Sequence, residues 1–401
     1  MAVNPAAAQS YTLTDLGASI GAYTANAINN SGQIAGAALP TGAAPSSDLS
    51  DPYLFSNGTF TDLGDFTSAD DVSQAWGINS LGQVVGVTGG GAFFYNGTLN
   101  ALSPTDIFAR GINTAGTIVG YTGWAEAFVI QNGVATDLGN GLATAINTSG
   151  QIAGASQPPG IPNPSTLTWE ATVWQPDLTP TYLGFLGTGV ESRGYAMNDA
   201  GQVAGTSYLT PSYAPLHAFL YSNGTMTDID TFNSDGSWAW GINNNGVVVG
   251  MVDDGLFSGY EYDAFVYIGG TMIDLNTLIA SGSNLILLQA NGINDSGEIV
   301  GDAISTSDNT VHGFLLTPIA PEITSISPTS GKPGTVVTIR GKHFSANPKA
   351  CWVAINGVTA TKWAKWTEKE IQIEVPAEAT SGNLVVTALL QKSNSKIFTV
   401  K

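Results

Sequence analysis

Apolar residues along this chain come in short runs of β-branched and aromatic side chains, and each run is closed by a turn signal. One run recurs. The pattern (Gly/Ala)-(Ile/Met)-Asn-x-x-Gly-x-(Ile/Val)-(Ala/Val)-Gly begins at Ala27, Gly77, Gly111, Ala145, Ala196, Gly241 and Gly292. A second element follows each copy, as in Pro52-Tyr53-Leu54-Phe55, Ala92-Phe93-Phe94-Tyr95, Ala218-Phe219-Leu220-Tyr221 and Gly313-Phe314-Leu315-Leu316. A third reads Thr-Asp-Leu-Gly or close to it, as at Thr14–Gly17, Thr61–Gly64, Thr136–Gly139 and Thr227–Asp230.

Each unit therefore predicts four short antiparallel strands. The first hairpin turns at sequences such as Asn29-Asn30-Ser31-Gly32, which suit a type I turn closed by a left-handed glycine. The second turns at Asn57-Gly58, Asn96-Gly97, Asn132-Gly133 and Asn223-Gly224. Four strands per unit, seven times over, is the signature of a propeller. The chain begins with a lone fourth strand, Tyr11–Leu16, and leaves the array at a lone third strand, Gly313–Leu316. Pairing Leu13–Leu16 with Phe314–Leu316 would remove two bare edges. The expected fold is all-β: a seven-bladed β-propeller of four-stranded blades, its last blade closed by the N-terminal strand, then a C-terminal immunoglobulin-like β-sandwich. The boundaries fall at 1–10 for a disordered start or signal remnant, 11–318 for the propeller and 319–401 for the sandwich.

Residues 11–317 resemble the HAF-repeat family, named for a His-Ala-Phe step that is intact at His217-Ala218-Phe219 and nearly so at His312-Gly313-Phe314. The resemblance implies an extracellular location and assigns no activity. From Pro321 on, the run Ile326-Ser327-Pro328 through Gly341-Lys342-His343-Phe344, with Ile371–Pro376 and Ser381–Val386, resembles an IPT/TIG immunoglobulin-like domain. Such domains imply a spacer or an adhesive module.

Charge sharpens the division. From Ile319 onward there are ten Lys/Arg against five Asp/Glu, a net of +5; earlier residues carry only Arg110 and Arg193 against 26 acids, a net of −24. An acidic body of that kind repels nucleic acid and anionic membranes, so no nucleic-acid partner is expected. No run of 18 apolar residues occurs, so no membrane insertion by a helix is expected. Cys351 is the single cysteine and excludes an internal disulfide. The Ala-rich start resembles the end of a secretory signal whose apolar stretch has been removed.

With Asp-Leu-Gly outermost, Gly-Ile-Asn becomes the innermost strand and the variable connections share one face. The position before the motif reads Asn26, Trp76, Arg110, Thr144, Tyr195, Trp240 and Asn291; two residues earlier it reads Thr24, Gln74, Phe108, Leu142, Arg193, Trp238 and Gln289. A two-residue offset puts both on one side of a strand. The expected ligand-binding set is Trp76, Arg110, Arg193, Tyr195, Trp238 and Trp240. Its aromatic faces suit sugar rings and its two arginines suit an acidic group or local charge balance. Wedging between blades is the competing structural role for the aromatics.

Other candidates carry less. Gly17-Ala18-Ser19-Ile20-Gly21 matches the hydrolase elbow, but it follows one strand and is expected to enter another, where the elbow needs a strand-to-helix turn and a nearby histidine. His217 and His312 occupy a repeat position and read as strand-edge residues. No Cys/His cluster offers zinc, and no catalytic residue or cofactor is expected. Calcium has candidate oxygen ligands in Asp48, Asp51, Asp65, Asp70 and Asp71, and in Asp253, Asp254, Glu261 and Asp263, yet neither set has the spacing of a calcium loop. The sets read as solvated acid. The expected function is a secreted or cell-surface, non-catalytic binding or adhesion protein that recognises a polysaccharide or surface glycan. A polysaccharide lyase or hydrolase on the same scaffold, and a structural surface-layer or matrix component, are the alternatives.

Overall fold

A computed structural model of the chain describes residues 10–39, 50–64, 73–89, 91–102, 107–159, 168–253, 262–345 and 350–401. The described residues are almost entirely strand. They divide into two compact bodies. One comprises Thr14–Tyr267 and Asn284–Leu315, the other Met1–Leu13, Ile268–Ser283 and Leu316–Lys401.

The repeat folds as its pattern predicts, into antiparallel four-stranded units. Ala22–Ile28, Ile34–Ala38, Asp51–Ser56 and Thr59–Asp62 form one sheet; Gln74–Ile78, Val84–Thr88, Gly91–Tyr95 and Leu99–Ala101 form the next. Between Ile107 and Tyr182 two units merge, because the strand Val134–Ile146 ends one and begins the other. The first strand, Tyr11–Asp15, lies at the edge of a sheet beside Val311–Pro318, followed by Ile299–Ser305 and Leu285–Ile293.

Turn chemistry explains the hairpins. Asn57-Gly58, Asn132-Gly133 and Asn223-Gly224 all have positive φ at both residues, as a type I′ turn requires. Asn96-Gly97 differs: only Gly97 has positive φ, and the Asn96 amide donates to Thr98 O at 3.3 Å. The segment after Asp15 also departs from expectation. Leu16–Ile20 is a short helix rather than the start of a strand, because the Asp15 carboxylate accepts from the Ala18 amide at 2.8 Å and Gly21 closes the turn at φ 70°.

The asparagine of each Gly-Ile-Asn does more than hold its own turn. Asn79 Oδ1 accepts from the Leu81 and Gln83 amides at 3.0 Å, while its Nδ2 donates to Asn113 O in the next copy at 2.9 Å. The same inter-copy bond runs from Asn29 to Asn79, Asn113 to Asn147, Asn147 to Asn198, Asn198 to Asn243, Asn243 to Asn294, and Asn294 back to Asn29. All seven side chains are buried, so each lost bond would strand polar atoms away from water.

The described part of residues 321–400 forms two sheets, antiparallel except where Ser330–Gly331 pairs parallel with Lys396–Val400. One holds Glu322–Ser327, Val336–Lys342, Glu370–Glu374 and Trp363–Trp366; the other centres on Cys351–Ile355, Gly382–Ala388 and Lys396–Val400. Alternate residues of both, among them Val337, Ile339, Val353, Ile371, Leu384, Val386 and Phe398, bury to form one core. Burial pushes the Cys351 thiol up to about 12, so it is an inert core residue.

Candidate functional site

The innermost strands share an irregularity that positions the site. In each copy the pairing register shifts by one residue: between Ala25 and Ala27, Ala75 and Gly77, Ala109 and Gly111, Ala143 and Ala145, Gly194 and Ala196, Ala239 and Gly241, and Ala290 and Gly292. The skipped residues are Asn26, Trp76, Arg110, Thr144, Tyr195, Trp240 and Asn291. A bulge re-aims the side chain it expels from the ladder, and all seven line one cavity of about 530 Å³. The bulge also explains the glycine that ends each motif. A Cβ at Gly154 or Gly250 would stand 1.8 Å from the carbonyl oxygen of Leu142 or Trp238, on the strand that buckles toward it.

The cavity wall is chemically uneven. The Arg110 guanidinium lies over the Trp76 ring, 4.0 Å from its centroid, with Tyr121 at 5.9 Å. Burial holds Arg110 below its ordinary value, and the tyrosines Tyr121 and Tyr195 offset this in part. Tyr195 and Trp240 form a tilted ring pair at 4.6 Å, and the Trp240 indole N–H is buried without a partner. In other copies the wall is polar. Thr144 donates to Gly194 O at 2.9 Å, and Asn26 to Ala75 O at 2.8 Å. Asp302 is half-buried and accepts from Gln289, Asn291 and the Ala25 amide. Burial nevertheless pushes its carboxyl up to about 6.

Four of the six residues singled out from the sequence, Trp76, Arg110, Tyr195 and Trp240, therefore line the cavity. Arg193 and Trp238 do not. They line an adjacent pocket with Tyr195, Thr206 and Tyr208. Arg193 is bound there by Glu191 at 2.7 Å, and Trp238 meets the edge of Tyr262. Of the positions three residues before the motif, Thr24, Gln74 and Gln289 reach the cavity. Sequence reasoning missed Asp302, which sits on the second strand of its unit, one residue past the motif's closing glycine.

The histidines take a repeated structural part. His217 Nδ1 lies 2.8 Å from Asp228 Oδ2, and His312 Nδ1 lies 2.9 Å from Asp15 Oδ1. Each ties the third strand of a unit to the fourth. The Ser19 hydroxyl donates to Asp15 O at 2.6 Å, while His312 Nε2 faces Thr310, so the hydrolase-like pentapeptide assembles no nucleophile and base. Asp48, Asp65, Asp70, Asp71, Asp254 and Glu261 lie outside the described residues. Among the described residues no group of three or more His, Cys, Asp or Glu is placed to hold a metal, and no helix is long and apolar enough to cross a membrane. In the C-terminal domain the lysines flanking Trp363 are answered within their own sheet, Lys365 by Glu370 at 3.0 Å and Lys362 by Glu374 at 3.7 Å.

Comparison with known proteins adds the following. A cyclomaltodextrin glucanotransferase from Bacillus sp. (strain 6.6.3) is 28% identical over 114 residues, 25% of this chain and 16% of that enzyme. Its counterpart from Paenibacillus macerans is 34% identical over 74 residues, 18% of this chain and 10% of that enzyme. The chain thus spans only about 16% of the length of the first of these relatives, and the likeness falls on the C-terminal domain. Among solved structures, a fungal alcohol oxidase of the AA5 family in complex with copper aligns over 98% of this chain and 100% of its own at 12% identity, with a TM-score of 0.45. The IPT/TIG domain model matches residues 321–400. This all-β chain therefore ends in an immunoglobulin-like IPT/TIG domain.

Proposed function

We propose that residues 11–318 are a seven-bladed β-propeller of the HAF-repeat kind, and that the protein is a secreted, non-catalytic binding protein that recognises carbohydrate in the cavity at the centre of its repeats. The architecture is supported by seven copies of the unit and by the asparagine bonds that run through all of them and return to the first. Location rests on the family resemblance alone.

One observation carries the binding. Seven residues distant in sequence, one from each copy, are expelled by bulges into a single cavity, and they mix aromatic faces with hydrogen-bonding groups. Its volume lies within the roughly 300–1,000 Å³ of small-ligand sites. A pyranose presents apolar C–H faces and polar edges, and that mixture matches the wall. The C-terminal domain gives weaker support, since its relatives are carbohydrate-active enzymes. Catalysis finds less. Asp302 is the one carboxylate among the described lining residues, and it is held by three donors rather than paired with a second acid or base.

A glycan-array screen of the full chain, followed by calorimetry on the hits, tests this reading. Trp240→Ala should weaken a bound oligosaccharide about tenfold, the loss of one aromatic contact worth about 1.4 kcal/mol. A ligand that binds the variant as tightly as the parent, or a screen without a single saccharide, would refute it.

A further inference from the structure

We infer that the saccharide held in this cavity is an acidic one, a uronate whose carboxylate is seated on Arg110. The inference rests on the carbohydrate reading above and adds the ligand class.

The argument starts from charge. Arg110 and Arg193 are the only Lys or Arg before Ile319, in a stretch with 26 acids. The two are treated differently. Arg193 donates through Nε at 2.9 Å and Nη2 at 2.7 Å to Glu191 Oε1, so its charge is answered within the protein. Arg110 has no such partner. Among the described residues no carboxylate approaches it to ion-pair distance, and its neighbours are the rings of Trp76 and Tyr121. An unanswered charge away from water is costly, and structures keep one where something else supplies the counter-charge.

Geometry then selects the counter-charge. A guanidinium whose carbon lies 4.0 Å over an indole centroid meets the ring by its charge and has no acceptor for its N–H donors there. Those donors form a planar fork that matches the two oxygens of a carboxylate. The cavity's own acid does not compete, because Asp302 is committed to Gln289, Asn291 and the Ala25 amide. The side-chain oxygens of Gln289, Asn291 and Thr144 remain as acceptors for hydroxyls, while Tyr195 and Trp240 offer apolar ring surface. A carboxylate on a pyranose needs all three kinds of contact at once. A neutral sugar would leave Arg110 unanswered.

Calorimetry on the full chain tests this with five probes: uronate oligosaccharides, their methyl esters, the corresponding neutral oligosaccharides, sulfated neutral oligosaccharides and acetate. The uronate should bind at least about tenfold more tightly than its ester or the neutral sugar, the usual range for one charge-assisted contact. Arg110→Gln should abolish the preference for the uronate over its ester, and Arg110→Lys should recover part of that preference. Equal binding of uronate, ester and neutral sugar to the unmodified protein overturns the acidic ligand and leaves the carbohydrate reading standing. That comparison needs no variant to fold. Binding of acetate with no saccharide bound, or no binding at all, overturns both. A sulfated neutral sugar that binds more tightly than the uronate also overturns the carboxylate.

Discussion

Asp302 shows how one half-buried side chain can tie stability to pH. Its carboxyl titrates at about 6 in the folded chain against an ordinary value of 3.8. The folded state therefore binds the proton more tightly than the unfolded state, and the stability this confers is present below about pH 4. It is lost as pH rises through 6, by up to roughly 3 kcal/mol for a two-unit gap. Asp302→Asn removes that titration. Melting temperatures should show the variant gaining on the parent as pH goes from 4 to 7; an identical difference at both pH values would rule the account out. His217 behaves in the same sense, for a different reason. Burial lowers its affinity for a proton, but the Asp228 hydrogen bond and the nearby acids outweigh it and raise the net value. Its contribution is complete below pH 6.5 and fades as pH rises through the folded value. None of this was readable from composition, since it depends on which acids meet which donors.

At the level of strands and turns, the asparagine of Gly-Ile-Asn does the most for its size. Asn79→Ala would remove two bonds to its own turn and the bond to Asn113 O. It would leave buried backbone groups unsatisfied in two copies. Denaturant unfolding should register a loss of about 2–4 kcal/mol; a loss below about 0.5 kcal/mol would mean the inter-copy bond is incidental. The turn half of this role is legible in the sequence, because Asn-x-x-Gly between apolar strands has one economical geometry. The inter-copy half is not, because its acceptor lies 34 to 51 residues away, and 265 away for the last copy. The bulges were equally hidden. Alternation predicts the two faces of a strand, but one extra residue shifts the register without changing the apolar count. That is why the sequence groups Arg193 and Trp238 with Trp76, Arg110, Tyr195 and Trp240, although only the last four line the cavity. The clue was present in the invariantly small residue before each expelled position and in the glycine ending each motif.

Across the whole chain, the first strand is the piece whose removal should be felt furthest from where it is made. Tyr11 and Leu16 are buried, and the strand Tyr11–Asp15 covers the edge of Val311–Pro318. Deleting residues 1–17 should lower stability by several kcal/mol and expose a sheet edge open to self-association. An unchanged melting temperature, with a monomeric profile on size-exclusion chromatography, would count against that role. The asparagine bonds have a consequence of another sort. Because the seventh donates to the first, the series has no terminal member. In the propeller proposed above, a gene duplication or loss of one repeat would have to re-form every junction at a new angle rather than add or drop a link. The number of units behaves as an integer that is hard to change, so variation has one inexpensive outlet, the connections that join the copies. That is where this chain varies: its copies begin at unequal intervals while the ten-residue motif between them keeps its length.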